Sequence, residues 1–164
     1  MTDKKTICYF GDFDPNYARN RVLISGLKAN GQEVILLRTV GKGIAAKIKL
    51  LQEFKASKKK FDLVIVGYSD SRWAVIALRL LFKKLLVWDA FYSLYDAYVY
   101  DRQLVKPVSL KAFYYWLMEW LNCRFADKIL LDTNAHIDYF VKTFDLPRPK
   151  FIKVLIGADD AIFK

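Results

Sequence analysis

Six short runs that are apolar almost throughout, at residues 7–10, 34–37, 62–67, 85–88, 128–131 and 151–156, limit this chain's possible folds more than any other feature. A strand with one wet face alternates apolar and polar residues. A run that stays apolar fits a strand covered on both faces, as in a parallel sheet. Helical patterns lie between the runs. Asp14-Pro15 predicts an N-cap and a first helical position, Ala18, Val22, Leu23 and Leu27 form a stripe, and Asn30-Gly31 marks the stop. A basic helix is expected over 44–58, an apolar one over 72–84, and a polar irregular stretch over 89–107. Ser109 caps a long aromatic helix ending near Phe125, and a last helix covers 134–144. Strand and helix alternating through 164 residues predict one α/β domain. Its sheet is Rossmann-like, doubly wound and mainly parallel, with about six strands and helices on both faces.

With 54% apolar and 27% charged residues, the composition excludes a disordered chain. Cys8 and Cys123 lie inside apolar segments and read as reduced core thiols. Lys4 and Lys5 are followed by too few apolar residues for a secretory signal. The longest apolar run, 73–78, is interrupted by Arg79 and is too short to span a bilayer.

Open parallel sheets bind ligands beyond the carboxyl ends of their strands. The segments to weigh are therefore 11–20, 67–72, 89–102, 132–136 and 157–160. The first, Gly11-Asp12-Phe13-Asp14-Pro15-Asn16, lacks the glycine spacing that lets backbone approach a pyrophosphate. It also puts two carboxylates where a phosphate needs positive potential. Such a loop suits sugar hydroxyls better. His136 is the sole histidine and has no ligand set around it in sequence, so no metal site is expected and a structural role is favoured.

Three segments carry a family likeness: Pro15-Asn16-Tyr17-Ala18-Arg19-Asn20 after the first strand, Phe125-Ala126-Asp127-Lys128-Ile129-Leu130-Leu131-Asp132-Thr133 before a helix, and the closing Val154-Leu155-Ile156-Gly157-Ala158-Asp159-Asp160-Ala161-Ile162-Phe163. In order and spacing the chain resembles the N-terminal domain of GT-B-fold glycosyltransferases, of the group 1 or family 4 type. The resemblance implies that residues 1–164 are a single acceptor-side domain, one half of a GT-B fold. The closing segment would cross into a C-terminal nucleotide-sugar domain absent from this chain. That partner, a domain or a separate subunit, would hold the donor, and no cofactor is expected in this half. The family's donor-side glutamate pair is missing, since the only glutamates are Glu33, Glu53 and Glu119. Asp89 falls where many relatives carry a histidine near the reacting sugar, which makes it the candidate catalytic residue, with loop capping as the alternative. Asp12, Asn16, Tyr17, Arg19, Asn20, Asp96, Arg102 and Thr133 become the acceptor-binding candidates.

The net charge of +10 is unevenly placed: residues 42–60 hold seven lysines against Glu53 alone. Lys47, Lys49, Lys55, Lys58, Lys59 and Lys60, with Trp116 and Trp120 of the aromatic helix, form a candidate membrane or partner face. This fits a cytoplasmic protein lying peripherally on the inner face of a membrane, acting on a glycan or lipid-linked acceptor. The alternative is a non-catalytic docking module of the same fold. No nucleic-acid-binding pattern accompanies the charge, which argues against that partner. A receiver-like domain fits poorly, because Asp70 comes too late after the third strand.

Overall fold

The computed structural model describes residues 3–41, 43–69 and 71–157. Six parallel strands form one sheet in the order β2-β1-β3-β4-β5-β6: β1 Thr6–Gly11, β2 Glu33–Arg38, β3 Leu63–Val66, β4 Leu85–Phe91, β5 Lys128–Leu131 and β6 Phe151–Lys153. The helices are α1 Ala18–Ala29, α2 Ile44–Ser57, α3 Ala74–Leu81, the single turn α4 Leu94–Asp96, α5 Leu110–Phe125 and α6 Asn134–Phe144. The Rossmann-like expectation holds, and the order adds what the runs alone do not give. The chain leaves β1 in one direction to β2 and returns past β1 to β3, so the reversal falls between β1 and β3.

That reversal divides the helices unequally. Cys8, Phe10, Val64, Val66, Leu86 and Trp88 face one way, onto Leu50 and Phe54 of α2, Leu78 of α3, Cys123 of α5 and Phe140 of α6. The alternate residues Ile7, Tyr9, Ile65 and Val87 face the other way, onto Ile24 of α1 with Leu23 and Leu27 beside it. Both faces are covered, but four long helices share one and α1 serves the other. Cys8 and Cys123 are free, buried thiols, and burial pushes the Cys8 thiol up to about 12.

Several boundaries differ from expectation for identifiable reasons. Asp14 does not cap α1. Its Oδ1 accepts from the Asn16 N–H at 2.9 Å, a local turn that uses up the side chain, and the helix begins later behind Tyr17. Gly31, at φ +76°, ends α1 as expected. β4 runs three residues past its expected end, because Asp89 is neutralised inside the sheet. The 89–107 stretch is partly helical, through α4 and a following wide turn over Ala97–Asp101. Ser109 caps α5 as expected, its Oγ accepting from the Ala112 N–H at 3.1 Å. β6 ends at Lys153, short of the expected 156. The closing segment from Ala158 onward lies outside the described residues, as do Lys42 and Asp70.

Phe140 is wholly buried and packs edge-on against Trp88, Phe144 and Phe151, tying α6 to β4 and β6. Phe140→Ala is expected to lower stability by about 3–5 kcal/mol. Ile44→Ala, at a side chain 77% exposed, should change it by less than about 0.5 kcal/mol. Urea unfolding of the two variants checks the contrast.

Candidate functional site

Where the strand order reverses, the diverging loops after β1 and β3 open a cleft of about 430 Å³. Asp12, Asp14, Tyr17, Asn20, Tyr68, Ser69 and Ser71 line it. Gly67 makes the opening possible: a Cβ there would land on the ring of Tyr9, which packs against the strand end. Asp12 is held by the Trp73 Nε1–H at 2.7 Å and by the Thr39 hydroxyl, and Lys47 Nζ lies 3.7 Å away. Burial pushes the Asp12 carboxyl up. Hydrogen bonds from Thr39, Trp73 and Ser71 and the charge of Lys47 outweigh it and hold the group below its ordinary value.

A second cleft, also about 430 Å³, opens above β4 and β5 and is lined by Tyr92, Ser93, Asp96, Ala97, Asp101, Arg102 and His136. The two adjoin, since the Tyr68 hydroxyl of the first donates to the Tyr92 hydroxyl of the second at 2.8 Å. Together they make a polar trough along the carboxyl edge of the sheet.

Two buried ion pairs fix the floor of this trough. Arg19 grips Asp89 with Nε and Nη2 at 2.9–3.2 Å, both residues almost wholly buried. Asp89 also accepts a backbone hydrogen bond from Phe91, whose φ of +64° lies in the left-handed region next to a break in the β4–β5 register. Burial pushes the Asp89 carboxyl up, opposed by Arg19. In the second pair, Arg72 Nη2 lies 3.3 Å from Glu119 Oε1, and Arg72 Nη1 donates to the Ser69 carbonyl at 2.7 Å. Glu119 takes the Ser93 hydroxyl and the Leu94 N–H, each at 2.6 Å.

The structure redistributes the residues picked out in the sequence. Asp89, the candidate catalytic carboxylate, is 0% exposed and turned into the sheet toward Arg19, so it reaches no ligand in either cleft. Arg19 is its counter-charge and equally buried. Asn20 touches the first cleft with its hydrogen bonds already taken by Tyr9, the Asp14 carbonyl and the Tyr68 carbonyl. Asn16 is exposed outside both cleft linings. Asp12 and Tyr17 line the first cleft, and Asp96 and Arg102 the second. The Thr133 hydroxyl caps α6 by accepting from the His136 N–H at 3.1 Å.

The basic face is likewise divided. Lys47 belongs to the first cleft and stacks on Trp73, and Lys58 Nζ donates to the Leu81 carbonyl. Lys49, Lys55, Lys59 and Lys60 remain exposed. Trp116 and Trp120 are half-buried, stacked on each other and packed against the main core, so they form no outward face. Sequence reasoning missed Tyr68, Tyr92, Ser93 and His136. All lie in or near segments after strands, where position, and not residue type, was the available signal.

No family model matches the sequence, and no curated protein matches it significantly. Solved structures do match in fold. Anabaena Alr3699/HepE in complex with UDP and glucose is similar over 98% of this chain, with a TM-score of 0.57 and 12% identity. The same protein in complex with UDP is similar over 96% of the chain, with a TM-score of 0.55 and 12% identity. This chain spans about half of that protein, 46% and 45% of its length in the two structures. Identity this low establishes the fold, which is consistent with one half of a GT-B fold.

Two outcomes follow from the site's electrostatics. Asp89→Ala leaves Arg19 buried without a partner and should cost about 3–5 kcal/mol in urea unfolding. The lowered Asp12 carboxyl contributes stability that is fully present above its ordinary value of 3.8 and lost as pH falls through the lower folded value. Acid unfolding of Asp12→Asn should therefore show a shallower loss below about pH 4 than the parent chain.

Proposed function

We propose that this chain is the acceptor-side lobe of a nucleotide-sugar-dependent glycosyltransferase, with the donor bound by another lobe or subunit. The chemistry of the trough carries this reading. Its first cleft presents carboxylates, hydroxyls and two tyrosine rings, groups that hydrogen-bond and stack on sugars. A nucleoside diphosphate needs positive charge and free N–H groups, and Lys47, the cation nearest this cleft, is engaged by Asp12. The fold likeness to half of a protein solved with UDP and glucose supports the same reading.

An anionic membrane surface is proposed as a second contact, carried by a different segment from the basic helix. Leu104, Val108 and Leu110 are 67%, 98% and 89% exposed, Phe113 is 57% exposed, and Lys106 and Lys111 stand among them. A small cluster of Val99, Val105 and Ala112 anchors this loop from beneath, so the apolar side chains project from a fixed base. Apolar side chains ringed by lysines complement acidic headgroups over an acyl layer. Arg102 belongs to the same loop and lines the second cleft, which would suit an acceptor presented on a lipid. The docking-module alternative shares this surface but does not account for the polar trough.

Calorimetry on the chain should give UDP binding weaker than about 1 mM, with glucose-induced shifts in the Tyr17 and Tyr68 signals by NMR. Micromolar UDP binding to this chain alone would overturn the division of labour. For the membrane contact, the double variant Leu110→Ser, Phe113→Ser should lose at least about tenfold in sedimentation with phosphatidylglycerol vesicles. Unchanged sedimentation excludes this loop.

A further inference from the structure

His136 lies where the trough ends, above β5, and its surroundings give it a defined proton state. Its Nδ1 is 2.5 Å from Asp132 Oδ1, one helical turn earlier, and the two side chains are 37% and 14% exposed. An ionised carboxylate only accepts hydrogen bonds, so in the neutral ring the proton sits on Nδ1 and the lone pair on Nε2. The Thr133 cap holds the backbone of the same turn. Nε2 has no partner among the described residues, and the ring lines the second cleft. An oriented base thus faces open space.

The rest of the cleft suits a polyol. Asp96 and Asp101 provide acceptors and Arg102 a planar set of donors, groups that pair with neighbouring sugar hydroxyls. Ser93 and the α4 turn are fixed by Glu119, so this wall does not depend on ligand for its shape.

We propose that this cleft receives the reacting hydroxyl of the acceptor sugar, and that His136 Nε2, held by Asp132, accepts its proton. The inference rests on the glycosyltransferase reading and adds the residue and the place. In the transfer step the hydroxyl oxygen bonds to the anomeric carbon of a nucleotide-sugar. The bond from that carbon to the diphosphate breaks, and its electron pair leaves with the diphosphate. The hydroxyl proton passes to Nε2. Asp132 stabilises the imidazolium that results.

Because the chain has one histidine, its ring signals need no assignment. Full-length chain labelled with 15N and 13C at histidine and at tyrosine is titrated with glucose. Without sugar, the neutral ring should show the Nδ1–H tautomer, and Asp132→Asn should shift it toward Nε2–H. Glucose should move the His136 signals saturably, with affinity on the order of millimolar for a few hydrogen bonds in an open cleft. A ring that accepts must be neutral, so glucose should lower the midpoint of the His136 titration and bind more weakly at acid pH. Asp132, Asp96, Asp101 and Arg102 also face the ring, so the shift is repeated in Arg102→Ala, an exposed position. There the affinity should fall roughly tenfold, as for loss of a charge-assisted hydrogen bond. An Nε2–H tautomer, a raised midpoint, or glucose shifts confined to Tyr17 and Tyr68 would overturn the proposal and leave the glycosyltransferase reading standing. Glucose shifts at neither the tyrosines nor His136 would overturn both.

Discussion

The trough keeps its shape because Glu119 is buried inside α5 with every contact answered. Ionising a carboxylate away from water costs several kcal/mol, and burial does push this one up. Arg72, the Ser93 hydroxyl and the Leu94 N–H oppose that shift. The consequence is geometric. Through Arg72 the same carboxylate reaches the Ser69 carbonyl after β3, and through Ser93 it reaches the Asp96 N–H after β4. Two loops on adjacent strands are thus pinned to one helix. Loops normally hold their shape through many weak contacts, whereas here one charged group sets both walls.

Arg19 and Asp89 do comparable work on the other face of the sheet. The pair lets a charged residue sit inside β4, and the Asp89 carboxylate meets the Phe91 backbone where the strand bulges. A left-handed Phe is unfavourable by about 1–3 kcal/mol unless its surroundings impose it. Its ring is enclosed by Tyr68, Tyr92 and the Arg19 guanidinium, which supply that constraint. The bulge turns Tyr92 toward Tyr68, and their hydroxyls meet at the junction of the two clefts. A structural ion pair therefore decides where the ligand-facing tyrosines stand.

This explains which parts of the molecule could be read from its sequence. The strands and long helices were legible because their signal is local: apolar runs for β1 to β5, and Ser109 and Asn30-Gly31 at helix ends. Asp14-Pro15 misled because the same residues that begin helices also make tight turns, and only the hydrogen bond to the Asn16 N–H distinguishes them. The clefts were legible only as positions after strands. Asp89 looked available because a carboxylate near a strand's end is usually solvated. Its partner is seventy residues away in sequence, and nothing local reports the pairing. Trp116 and Trp120 looked outward because α5 is aromatic nearly all round. Which side is covered depends on Phe144 of α6, a tertiary fact.

On the proposed reading, the charge pattern assigns the substrates to different partners. The chain carries a net +10, yet Asp12, Asp14, Asp96, Asp101 and Asp132 gather at or beside the trough. Such an edge favours neutral, hydroxyl-rich ligands and disfavours a diphosphate, while the exposed lysines are left for acidic surfaces elsewhere. Within the trough the carboxylates also act on the base. A histidine beside Asp132 can become cationic at low cost when it takes a proton, and diphosphate departure supplies the opposite charge across the cleft. Placing the proton acceptor on this lobe and the cations for the leaving group on the other keeps the two from neutralising each other before both substrates are bound.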